Sequence, residues 1–172
     1  GAVDEARSLR SLLQVVSGPD GLPTPPFRVQ QALLAEREGD TDAALLALEH
    51  AAQQLEREGA LWACLRVHVM EVSMRLARRR ATDLVVAAKL CQSLPVGALR
   101  AALGAWHAAA SGGAVEPLIE CAVTLPQRMM GAELLAAAVV LARDGGGQPT
   151  VERAQRELLG HLEELGLTLP PR

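Results

Sequence analysis

The stretch LLAEREGDTDAALLALEHAAQQLEREGA, from Leu33 to Ala60, constrains the fold more than any other part of the chain. Two helical segments meet at Gly39-Asp40, where glycine supplies a left-handed C-terminal cap and Asp40 or Thr41 caps the helix that follows. In that second helix Ala44, Leu48, Ala51 and Leu55 fall on one stripe, while Asp42, Glu49 and Glu56 recur every seven residues on another side. One face packs and the other meets solvent or a partner. A small residue at a helix contact lets the neighbouring backbone come close, so the alanines specify stacking.

The same punctuation continues along the chain. The spacing predicts a first helix over residues 3–16, ended by SGPDGLPTPP, and a second from Pro25 to Glu38 with Thr24 as its N-cap. The third runs to about Glu58 before Gly59 ends it, and the fourth from Leu61 to Arg80, with Leu65, Val69, Val72 and Leu76 on one stripe. The cations of its RLARRR ending complement the helix dipole. Thr82-Asp83 opens a helix through Leu94, Pro95 starts one reaching Ala110, and Gly112-Gly113 ends it. AVEPLIECAVTL is a short helix, Pro126 begins one reaching Arg143, DGGGQP is a loop, and Thr150 caps a last helix ending near Gly166. Alternating strand patterns are absent, so the chain is expected to be all-α with about nine helices.

Short connections make consecutive helices antiparallel neighbours. TDAALLALEHAA at Thr41 and TDLVVAAKLCQS at Thr82 occupy equivalent places about forty residues apart, and SGGAVEPLIECAV at Ser111 follows at a shorter interval. Such a period marks helical-pair repeats. The expected architecture is therefore a right-handed solenoid of stacked antiparallel helix pairs, forming a single domain over residues 1–172.

Composition narrows the function. A net charge of -3 over 172 residues gives no general basic field, and one phenylalanine, two tryptophans and no tyrosine leave little surface for stacking bases. No direct contact with DNA is expected of this segment. The apolar run over 132–142 is interrupted by Glu133 and too short to span a bilayer, and no leader pattern opens the chain, so a cytoplasmic location without a membrane partner is expected. The start at Gly1 and the ending LTLPPR fit a piece of a longer protein, with residues 167–172 beginning a linker.

Chemistry-bearing residues are sparse. Cys64 and His68, four apart on one helix, have the spacing of metal ligands, but completing the set calls for His50 or Cys91 from neighbouring helices. They read as a core cysteine beside a partly exposed histidine; His107 and Cys121 are weighed the same way. The three cysteines, Cys64, Cys91 and Cys121, are expected as reduced, buried thiols. No nucleophile elbow and no phosphate-binding loop occur, and Gly145 to Gly147 read as a loop, so neither catalysis nor a cofactor is expected. Arg75, Arg78, Arg79 and Arg80 read as a solvated helix end before they read as a docking site. Met129 and Met130 read as core packing at a helix start, and Trp62 and Trp106 as interface anchors of which at least one is core.

Ala35, Gly39-Asp40, Ala44 and Ala51 together resemble a tetratricopeptide repeat. The order of pieces from AEREGDTDAALLALEHA through LGAWHAAASGGAVEPLIECAV to the final helix is similar to the helical-repeat segment of large LuxR-type, MalT-like bacterial regulators. In that family an ATPase module precedes the segment and a helix-turn-helix follows it. The resemblance implies a non-catalytic sensing module in transcription regulation, which binds a protein, peptide or small effector and relays the event. The alternative is an independent helical scaffold that self-associates, for instance as a homodimer.

Overall fold

The computed structural model of the chain describes residues 23–145 and 147–167. Among these, eight helices carry the fold: α1 Pro25–Arg37, α2 Thr41–Arg57, α3 Leu61–Arg78, α4 Ala81–Ser93, α5 Ala98–Ala110, α6 Glu116–Thr124, α7 Arg128–Gly145 and α8 Gln148–Glu164. The all-α class is as expected. The helix expected over residues 3–16 and the ending after Leu167 lie outside the described residues. Two compact units divide the chain, Gly1–Met74 and Arg75–Arg172, with the boundary inside α3.

In the first unit, α1 packs along α2. The turn between them is the one the sequence specifies: Gly39 sits at φ 82°, and the Asp40 N–H reaches back to the Ala35 carbonyl at 2.9 Å. Asp40 then caps α2, its Oδ1 accepting from the Ala43 N–H at 3.0 Å. The turn between α2 and α3 repeats this closure, with Gly59 at φ 69° and the Ala60 N–H on the Leu55 carbonyl at 2.9 Å. Ala44, Leu48, Ala51 and Leu55 are all buried, and Asp42, Glu49 and Glu56 are exposed, as the two stripes require. The core of this unit joins that stripe to Ala32, Leu45, Cys64 and Val67.

In the second unit, each of α4 to α7 packs on the helix that follows it, and α5 also touches α7, as α6 touches α8. Leu103, Leu118, Ile119, Leu134 and Leu135 are fully buried at its centre. Several helix ends differ from the sequence reading for local reasons. Thr24 makes no side-chain cap. Pro95 and Pro126 lie outside the helices they were expected to begin: Leu94 and Leu125 before them are extended (ψ 149° and 127°), which ends the preceding helices, and the next helices open only at Ala98 and Arg128. Thr150 is the third residue of α8, not its cap. The helix expected to reach Arg80 stops at Arg78, since Arg79 adopts φ 54°.

Candidate functional sites

Two residues singled out from sequence are joined by a third in the first unit. Cys64 and His68 lie one turn apart on α3, and their Sγ and Nε2 are 3.7 Å apart. Glu56, from the last turn of α2, brings a carboxylate oxygen to the same place, so that the three ligating atoms lie within 4.8 Å of one another. The Gly59 turn makes this possible, because it folds the end of α2 back against the start of α3. Cys64 is buried, His68 half-buried and Glu56 exposed, which grades the group from core to solvent. The thiol also points at the Ala52 carbonyl, 3.8 Å away. Burial, and secondarily the negative charge of Glu56, push its pKa upward.

The partner weighed for this pair on α2 is engaged elsewhere. His50 Nδ1 lies 3.2 Å from Arg28 NH1, and Cys91 belongs to the second unit. Sequence reasoning missed Glu56 because it occupies the solvent stripe of α2, where a glutamate every seven residues reads as solubility. Its signal is its distance from the turn: three residues before Gly59, it falls in the last turn of the helix that the glycine reverses.

The second unit contains a polar cavity of about 460 Å³, lined among others by Arg79, Glu116, Asp144 and Thr150, with backbone from Gly112 and Gly147. Arg79 and Asp144 form an ion pair at 2.6 Å. Thr150 donates to Glu116 Oε1 at 2.6 Å, which holds that carboxyl below its usual pKa. Arg75 and Arg78 depart from the expectation of a solvated helix end: their side chains are only 11% and 12% exposed and both face Asp83. A smaller cavity of about 250 Å³ is lined by Cys91, Arg100 and His107, and His107 Nε2 lies 3.1 Å from the Leu84 carbonyl. Burial raises the Cys91 pKa, partly offset by the charge of Arg100.

All three cysteines are free thiols, with Cys64 and Cys91 buried and Cys121 half-buried, so the expectation of burial is met by two of them. The two tryptophans separate: Trp106 is buried, and Trp62 is 82% exposed beside an equally bare Leu61. Met129 is exposed and not core. It is the second residue of α7. No helix among the described residues is long and apolar enough to cross a membrane. No family model matches the chain, and no curated protein or solved structure is significantly similar to it.

Proposed function

We propose that this chain is a non-catalytic sensing or protein-interaction segment of a bacterial transcription regulator of the LuxR type, MalT-like in organisation and cytoplasmic. In this reading it is a right-handed stack of antiparallel helix pairs that binds a partner protein or peptide and relays the event to neighbouring modules. The observation that carries the reading is Trp62. In a chain with three aromatic residues, one tryptophan stands 82% exposed at the first turn of α3, with Leu61 beside it at 76%. Exposing so much apolar surface weakens a fold and is retained where a partner covers it; tryptophan is the side chain most enriched at binding hot spots. The repeated glycine-closed turns at Gly39 and Gly59 supply the regular helix pairs from which an extended binding surface is built.

The parent reading frame is the first test: a nucleotide-binding module upstream and a helix-turn-helix downstream are expected. Calorimetric titration of that upstream module into this segment should give saturable heat, and Trp62→Ala should weaken the affinity about thirtyfold, the size of a hot-spot loss. Equal affinity of the variant, or no heat with the native segment, overturns the reading. Self-association through the same patch is the second reading, favoured by the apolar character of Leu61 and Trp62. Sedimentation equilibrium separates the two, since a homodimer dissociates on dilution and is abolished by Trp62→Ala.

A further inference from the structure

We propose that Glu56, Cys64 and His68 form a binding site for a borderline-soft divalent cation of the zinc class, independent of the reading through Trp62. A zinc ion binds thiolate sulfur at about 2.3 Å and imidazole nitrogen at about 2.0–2.1 Å, and a tetrahedral angle between them places the two donors roughly 3.5 Å apart. Cys64 Sγ and His68 Nε2 stand 3.7 Å apart, already at that bite before any side chain moves. The third donor comes within 4.8 Å of both and sits on an exposed side chain, which can close the remaining distance by rotation at little cost.

The donor set selects the ion. Thiolate and imidazole favour zinc and its neighbours over calcium or magnesium, which take hard oxygen ligands. Cys64 as thiolate, Glu56 as carboxylate and His68 as neutral imidazole carry two negative charges in all, which a dication cancels. That cancellation removes the repulsion between thiolate and carboxylate that disfavours the charged cysteine in the metal-free chain. Binding transfers the Cys64 thiol proton to solvent, so affinity rises with pH. Three protein donors leave a fourth position open on the exposed side, for water or for a donor from a bound partner.

The site is also local. The pattern is Glu-x7-Cys-x3-His over residues 56–68, with the glycine-closed turn between its first two members. Its geometry is therefore set within one helix–turn–helix. A structural role alone would require only Cys64 in the core; it gives no reason for a carboxylate and an imidazole to converge on the sulfur.

Cobalt(II) titration of the reduced full chain tests the proposal. One equivalent should bind with a thiolate-to-cobalt charge-transfer band and the visible bands of tetrahedral cobalt, and zinc should displace it. Cys64→Ser should abolish the charge-transfer band, while Cys91→Ala and Cys121→Ala leave it intact. Glu56→Gln and His68→Gln alter accessible side chains, so they keep the assignment testable if the Cys64 variant does not fold; each should weaken binding on the order of tenfold or more. Absence of the band in the native chain overturns the proposal. So does native cobalt affinity in both Glu56→Gln and His68→Gln, or loss of the band in the Cys91 or Cys121 variant.

Discussion

Arg75 donates to Asp83 Oδ1 at 3.1 Å across the turn from α3 to α4, and the two side chains are only 11% and 8% exposed. Asp83 Oδ2 faces Arg78 Nε at 3.5 Å, close enough for attraction but without hydrogen-bond geometry. Removing the carboxylate takes away a nearly buried counter-charge that both guanidinium groups face. Asp83→Ala is therefore expected to cost about 3 kcal/mol, the lower end for breaking a buried pair, read as a lowered urea midpoint at unchanged slope. A loss below about 0.5 kcal/mol would show that water replaces the carboxylate.

The same aspartate shows where sequence reading stops. Thr82-Asp83 reads as a helix start, and α4 does begin there, but Asp83 acts as the buried counter-charge for arginines that precede it, not as a cap. Gly39-Asp40 was legible because its whole function is local, contained in φ 82° at Gly39 and a cap three residues on. The stripe from Ala44 to Leu55 was legible for the same reason, as helical periodicity on one segment. Trp62 and Trp106 were not told apart from sequence, since each lies within a helix and packing separates them. Glu56 was hidden by its own regularity on the solvent stripe.

Glycines divide into positions that improve and positions that suffer on substitution by alanine. Gly39 has open space around its missing Cβ but sits at φ 82°, so Gly39→Ala costs about 1 kcal/mol in backbone strain alone. Gly160 lies inside α8 at an ordinary helical angle with nothing within 4 Å, so Gly160→Ala should stabilise by about 0.5–1 kcal/mol. Gly131, inside α7, has the same helical backbone but its Cβ would meet the Ala122 carbonyl at 2.9 Å and His161 Nε2 at 3.2 Å. Gly131→Ala is expected to destabilise by about 1–3 kcal/mol, the cost of overpacking. Thermal melts of the three variants should therefore give one rise and two falls; a rise for Gly131→Ala would mean that α6 and His161 move aside freely.

Cys91 gives stability a dependence on high pH. Burial raises its thiol pKa in the folded chain, so between the ordinary value of 9.0 and the raised one the folded state holds a proton that the unfolded state has lost. Its contribution is complete below about pH 8.5 and declines as pH rises beyond it. Cys91→Ala removes that slope. Denaturant midpoints compared at pH 8 and pH 10, with chelator present, should converge between native chain and variant as pH rises; a constant gap would show that the thiol ionises without penalty.

Glu116 and Thr150 make the opposite prediction at low pH. Thr150 donates to the carboxylate at 2.6 Å, a bond made to the charged form, and this hydrogen bond is the leading cause of the lowered Glu116 pKa. With the folded pKa depressed from 4.5, the folded state binds fewer protons than the unfolded chain, so the contribution is present above that value and is lost as pH falls through the folded pKa. The bond joins the first turn of α6 to the first turn of α8, and its loss loosens the start of α8 specifically. Thr150→Val keeps the β-branched shape and removes the donor. Carboxyl titration by NMR should then return Glu116 toward its ordinary value, and amide exchange at the start of α8 should quicken at neutral pH. An unchanged Glu116 titration in Thr150→Val would transfer the shift to the backbone N–H of Glu116 itself, the next contributor in order of size.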